Sequence, residues 1–332
     1  MKKEIGIGLL LLIVCAIVDF KNPRFLSQAN LRNQAHQIGM FGIYSIGMGI
    51  IIITGGIDLS VGSVFALQGV CLSIMLVDEQ WPWPVATFCA IAGVVMLGVF
   101  HGLLVTKAKL QPFIVTLAGL LLYRGLARFI AGDETKGFGD SNFGSLRFLA
   151  SGYIHRVPTS FIILIVVAVI MYVVLHRSVY GRYLFAVGRN EEAARFSGIN
   201  TNLVIGSAYA LGMLLASISG ITMAFDANAI VPSSHANFYE VYGIAAAVLG
   251  GCSLRGGEGS ILGIVLGTAL LQVLQNLVNL LGINSSLNFA VMGAVILLGA
   301  LLDALLSRRG KRGHGPPPAT TAVAPTPTQA PA

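Results

Sequence analysis

The chain has 332 residues, 55% of them hydrophobic and only 11% charged, with a mean hydropathy of +0.80. Soluble domains carry about a quarter charged residues, so this composition excludes an ordinary water-soluble domain. The net charge of +7 sits in loops between apolar runs rather than in one basic patch, which argues against a nucleic-acid partner.

In chain order, apolar segments predict ten spans at residues 5–20, 35–54, 60–77, 84–105, 112–131, 159–176, 203–225, 239–253, 260–281 and 287–306. Runs such as Thr159 to Leu175 lack the period-2 alternation of barrel strands, so the spans are helices. The expected fold class is all-α: a polytopic membrane protein of about ten transmembrane helices. Lys2-Lys3 ahead of an apolar stretch has the look of a secretion signal. No small-x-small cleavage site follows, however, and Asp19-Phe20-Lys21-Asn22-Pro23 reads as a helix end, so an uncleaved first span is expected.

With both termini cytoplasmic, 13 of the 21 Lys and Arg fall inside: Lys2, Lys3, Lys107, Lys109, Arg177, Arg182, Arg189, Arg195, Arg255, Arg308, Arg309, Lys311 and Arg312. That is the positive-inside pattern. Lys21, Arg24 and Arg32 run against it. The membrane domain is expected over 1–308. The Pro/Ala/Thr-rich stretch over 309–332 cannot bury a core and reads as a disordered cytoplasmic tail.

Two segments interrupt the apolar pattern in corresponding ways. The second span ends in Thr54-Gly55-Gly56-Ile57-Asp58-Leu59-Ser60-Val61-Gly62-Ser63, and the eighth in Leu249-Gly250-Gly251-Cys252-Ser253-Leu254 followed by Arg255 to Ser260. Each double glycine releases a helix, and Asp58, Ser60 and Ser253 can satisfy the freed backbone groups. Their recurrence predicts an internal repeat with a transport pathway between the halves. Two ordinary Gly-rich turns are the plainer alternative. Asp58 either caps the next helix from an aqueous vestibule or lines the path; a capping and gating role is favoured.

Polar groups elsewhere in the spans suggest where a solute passes. Gln272, Gln275, Asn276 and Asn279 follow i, i+3, i+4, i+7 spacing and so share one face of the ninth span. That face should point into the bundle, either to bond solute hydroxyls or, the favoured reading, to knit helices together. Gln68 is a similar case. Arg124 and Arg128, one turn apart, either snorkel or pair with Asp133 and Glu134, a structural ion pair being favoured for Arg124. Small residues at Gly263, Gly267, Gly206 and Ala210 offer close helix approaches.

A charged island lies between the sixth and seventh spans, from Gly181 to Ile199. Asn190 can N-cap a short helix, Glu191 and Glu192 suit its positive end, and Gly198 can close it. Such an element either faces water or is a docking knob for a soluble partner.

Several chemistries are missing from the sequence. No G-x-x-x-x-G-K-[ST] occurs, so no phosphate cradle is expected, and no H-E-x-x-H or defensible nucleophile–base pair is found. No catalytic residue, bound cofactor or metal site is expected, and the chain does not read as an enzyme. The six histidines are singles, expected to be interfacial or hydrogen-bonded. Cys15, Cys71, Cys89 and Cys252 are scattered packing residues.

Four stretches together resemble the permease subunits of ribose-type sugar ABC importers, a family that also serves other monosaccharides and the autoinducer-2 signal. They are Gly55 to Ser63; Gln111 to Leu117 with Arg124-Gly125; Gly181-Arg182 through Gly188 to Ile199; and Gly250 to Gly259. The similarity covers about residues 35 to 305. Cys252 stands where threonine is more usual, and the Pro-rich tail lies outside the pattern. The resemblance implies a permease of the bacterial inner membrane that imports a monosaccharide, ribose being the leading choice. It also implies a separate ATPase subunit that binds the ATP, an exported sugar-binding protein, a second permease copy and surrounding lipids. By resemblance to the coupling loop of these importers, Arg189, Asn190, Glu191, Glu192, Ala193, Ala194, Arg195, Phe196 and Gly198 would dock in the ATPase, with Phe196 as apolar plug. The alternatives are an ion-coupled secondary transporter, for which Asp58 alone is thin support, and a non-transporting membrane scaffold.

Overall fold

The computed structural model describes residues 2–139 and 143–282, with the isolated positions 287, 290, 293, 294 and 297. The predicted tenth span at 287–306 and the tail at 309–332 lie essentially outside the described residues.

Twelve α-helices follow one another among the described residues: α1 (Lys2–Lys21), α2 (Gln28–Ile53), α3 (Val61–Ser73), α4 (Trp83–Thr106), α5 (Pro112–Ala131), α6 (Gly144–Ser151), α7 (Thr159–Tyr172), α8 (Val179–Arg189), α9 (Glu191–Phe196), α10 (Thr201–Ala227), α11 (Tyr239–Leu249) and α12 (Ile261–Leu280). Wider π-helical turns extend α3 through Ile74–Asp78 and α7 through Val173–Arg177. Local chemistry starts and stops these helices. Ser27, Ser178, Asn200 and Ser260 cap α2, α8, α10 and α12 with side-chain oxygens that accept from backbone N–H groups. Proline occupies the first turn of α4 and α5, where no backbone donor is needed, and left-handed Gly132 ends α5.

Seven helical segments among the described residues are long and apolar enough to cross a membrane: Gln28–Ile53, Val61–Asp78, Trp83–Thr106, Pro112–Ala131, Thr159–Arg177, Thr201–Ala227 and Ile261–Leu280. The predicted first span forms a helix, but Glu4, Asp19 and Lys21 confine its apolar part to Ile5–Val18, about 21 Å long at about 1.5 Å per residue. The predicted eighth span stops at Leu249. Its 11 helical residues reach about 16 Å, roughly half of a hydrocarbon core of about 30 Å. Gly250 and Gly251 end it early.

α2 is the central helix, with 89% of its most apolar stretch buried against α7, α10, α11 and α12. α4, α5 and α7 form the outside, where Phe88, Met96, Leu121, Phe129 and Val169 present an apolar surface suited to lipid tails. Beyond the helices, two antiparallel ladders of two residues each occur among the described residues. β1 (Lys136–Gly137) pairs with β4 (Ala229–Ile230), and β2 (Tyr153–Ile154) forms a hairpin with β3 (Val157–Pro158). The first ladder ties the segment after α5 to the one after α10.

Candidate functional site

The charged island folds into α9. Asn190 Oδ1 accepts from Ala193 N at 2.9 Å, Glu191 and Glu192 occupy the first turn, and Gly198 adopts φ +85° just beyond the end. These groups offset the orphan donors and acceptors that make a six-residue helix costly. Arg195 Nη2 bonds Glu191 Oε1 at 2.7 Å, and Thr201 Oγ1 bonds the same oxygen at 3.2 Å. Glu191 and Arg195 are therefore engaged within the island. Arg189, Glu192, Ala193 and Phe196 face outward, and Phe196 is 90% exposed. Ala194 faces the other way, into the cluster that contains Ile53, Leu184, Val187 and Val204.

Gly188 joins this helix to both breaks. A Cβ at Gly188 would collide with the carbonyl oxygen of Ile53, the last residue of α2. Gly257 donates its N–H to that same carbonyl at 2.8 Å. Gly256, at φ +82°, lies so close that a Cβ there would sit 2.7 Å from the Gly188 carbonyl oxygen and 2.9 Å from the Gly55 nitrogen. Arg189 packs directly over Gly257. The end of α2, the double glycine Gly55-Gly56, the loop after Gly250-Gly251 and the entry to α9 thus meet at one point. Gly250 itself lies against Gly263 of α12, one of the small-residue contacts foreseen from the sequence.

Above the first break, residues 57–60 run without helix to α3. Asp58 is fully buried, so it faces no aqueous vestibule in this conformation. Its Oδ1 accepts from Ser60 N at 2.8 Å and from Ser60 Oγ at 2.7 Å. Ser60 is the N-cap residue of α3, yet its own side chain makes no cap bond; Asp58 meets the polar need of the turn. Its Oδ2 lies 3.6 Å from His101 Nδ1 on α4, and His101 Nε2 is 2.7 Å from the Tyr123 hydroxyl on α5. The Ile57 carbonyl accepts from Thr116 Oγ1 at 3.2 Å and from Tyr209 OH at 3.4 Å. From the second half, the Glu240 carboxylate lies against the first turn of α3, where a Cβ at Gly62 would sit 2.5 Å from its Oε2. The sequence reading missed His101, Tyr123, Tyr209 and Glu240 here. Nothing in their spacing announces the meeting, although Thr116 belongs to a family-like stretch.

The amides on α12 divide. Gln272 and Asn276 are buried, Gln275 is half-buried and Asn279 is exposed, so the face turns away from the core in its last turn. Asn276 exchanges two hydrogen bonds with Asn30 of α2, at 3.1 and 2.8 Å. That is knitting between helices. Gln68 donates to Ser217 of α10. Arg128 pairs with Asp133 at 2.6 Å, as the sequence suggested, but Arg124 does not join an acid in this way. Its Nη1 donates to the carbonyls of Pro232 and His235 at 3.0 and 2.8 Å, because the segment before α11 folds back over α5. Arg124 is a clamp on a loop. His36 is hydrogen-bonded, as the sequence suggests: its Nε2 lies 2.9 Å from Asp226 Oδ1 and its Nδ1 2.9 Å from Ser160 Oγ.

A central helix, two glycine breaks and an outward-facing short helix anchored where the breaks meet make up the candidate site. Residues 30–300 match the model of a family described as "Branched-chain amino acid transport system / permease component". The chain belongs to this permease family. It is 39% identical over 302 residues to the ribose import permease protein RbsC of Bacillus subtilis, covering 91% of this chain and 92% of that protein. It is 37% identical over 294 residues to RbsC of Escherichia coli K12, covering 88% and 91%. The galactose/methyl galactoside import permease protein MglC of Escherichia coli K12 is 31% identical over 328 residues, covering 93% and 96%. These relatives are transport components, and this chain is a multi-pass membrane permease, not an enzyme.

Proposed function

We propose that this permease is the membrane subunit of an ATP-driven importer for a monosaccharide, with ribose or a close relative as the cargo. The names and full-length coverage of the relatives support that choice of cargo. A separate cytoplasmic ATPase binds the ATP and grips α9 through Arg189, Glu192 and Phe196. An exported sugar-binding protein delivers cargo to the opposite face. Two permease copies pair within the lipid of the bacterial inner membrane, with both termini cytoplasmic. About ten spans, built as an internal repeat, occupy residues 1–308, and 309–332 form the tail.

One observation carries this reading: the exposed knob α9 is continuous with the glycine junction where both helix breaks end. Force applied at Phe196 reaches the breaks through Arg189 and Gly188, because backbone packed on backbone has no slack to absorb it. The breaks Gly55-Gly56 and Gly250-Gly251, with Asp58, Ser60 and Ser253, then serve as hinges between outward- and inward-facing states.

The test is reconstitution with the candidate ATPase and binding protein, followed by uptake over a panel of pentoses, hexoses and autoinducer-2. ATP-dependent uptake of a pentose is expected. Glu192→Lys should uncouple hydrolysis from uptake while leaving the protein in the membrane, and wild-type transport by it removes the coupling role. Uptake that ignores ATP and collapses with an ionophore points instead to an ion-coupled carrier.

A further inference from the structure

Asp58 and Ser60 of the α2–α3 break, His101 of α4 and Tyr123 of α5 are all essentially sealed from solvent, at 0%, 0%, 1% and 2% exposure. Within this knot two polar atoms have no hydrogen-bond partner, Asp58 Oδ2 and His101 Nδ1. They face each other at 3.6 Å. Every other polar atom of the two side chains is already used: Oδ1 by Ser60, Nε2 by Tyr123.

The two facing atoms can be satisfied together: with hydrogen on His101 Nδ1 the imidazole points a donor at Asp58 Oδ2, and Nε2 can accept from the Tyr123 hydroxyl. The surroundings supply no substitute. Arg124 of α5 is committed to two loop carbonyls, while Tyr209 of α10 bonds Ile57. Among the described residues His101 is the only basic side chain within ion-pair distance of Asp58.

We propose that Asp58 and His101, with Tyr123 fixing the far side of the imidazole, form a latch. The latch ties the α2–α3 break to α4 and α5 in this conformation. Asp58 grips the start of α3 and His101 reaches it from α4, so the break cannot swing away from the outer helices without parting the couple. The separation of 3.6 Å exceeds the 2.7–3.2 Å of a well-made bond, so a small displacement tightens or releases it. These are positioning residues; they need not touch cargo. The inference stands apart from the importer reading, since it needs neither ATP nor sugar.

The test uses the full-length chain in lipid nanodiscs at pH 7, with its four cysteines replaced by serine and one cysteine introduced at half-buried Leu59. A second version carries it at Ala208, buried in α10, as a control. Labelling by a membrane-impermeant maleimide should rise about tenfold at position 59 in Asp58→Asn and in His101→Asn. The double variant should rise no further, and position 208 should stay unlabelled. An unchanged rate at 59, additive effects, or a parallel rise at 208 overturns the latch. Should neither variant fold, Tyr123→Phe removes a single hydroxyl, and about a threefold rise confined to position 59 is expected. No rise there overturns the proposal equally.

Discussion

The N–H of Gly257 donates to the carbonyl oxygen of Ile53 at 2.8 Å, with Gly188 wedged beside both. Ile53 is the last residue of α2, where a helix carbonyl would otherwise lack a partner. The loop of the second break therefore completes the helix that ends at the first. Both breaks share a boundary with the segment that carries α9, and none of the three can shift without disturbing that bond.

Gly188→Val is expected to be damaging out of proportion to its size. Its Cβ would overlap the Ile53 carbonyl oxygen and crowd the Gly257 nitrogen, both backbone atoms that no rotamer change can move. Overpacking of this kind costs about 1–3 kcal/mol. A lowered melting temperature and loss of uptake are expected, with Gly188→Ala intermediate. Unaltered melting and uptake in the valine variant would show that the junction has slack.

Phe196→Ser should behave in the opposite way. The ring is 90% exposed, so its loss should change stability by no more than about 0.5 kcal/mol. If it plugs a groove in the ATPase, affinity should fall about tenfold or more, on the order of 1.4 kcal/mol. Thermal melting of the permease alone and co-purification with the ATPase separate the two effects. Equal recovery of the ATPase with both proteins would count against the plug.

The Asn30–Asn276 pair offers a third check. Each single change to alanine strands the partner amide and should cost about 1–2 kcal/mol. The double change should cost less than the sum, because neither amide is left facing a missing partner and only the Phe25 carbonyl loses its donor from Asn30. Cargo preference should not move. A shift in the ratio of ribose to hexose uptake would put this amide on the pathway instead.

Local features were legible in the sequence because short-range chemistry writes them. Asn190, the two glutamates and Gly198 mark α9 residue by residue, and the double glycines mark the breaks. Apolar runs located the long helices closely. The short α11 was overextended, because Gly250 and Gly251 look no different from the apolar-compatible glycines inside spans until the fold shows the chain turning there. The Asp58–His101–Tyr123 knot was out of reach for another reason. Its members lie 43 and 22 residues apart, on the break and on two helices whose mutual rotation no one-helix periodicity reveals. For Arg124 the sequence leaves snorkelling or an ion pair, the pair being favoured from its place in a family-like stretch, whereas folding brings it carbonyls.

Acid should loosen the loop over 231–238. His235 sits half-buried in it, and burial, with Arg124 nearby, pushes the imidazole down to about 4. An exposed histidine takes its proton near pH 6.5. Between the two values the opened loop binds a proton that the closed loop refuses, so the closed form is fully stable above about pH 6.5 and weakens as pH falls toward 4. The weakening is on the order of 3 kcal/mol over that window. Hydrogen exchange of the backbone over 231–238 should accelerate, beyond its intrinsic pH dependence, between pH 7 and 4.5, and His235→Gln should abolish the excess. Because the Arg124 guanidinium holds this loop by the carbonyls of Pro232 and His235, Arg124→Met should open it at neutral pH as well. Equal protection factors at both pH values in the unaltered protein would mean that the loop stays shut even when His235 is charged.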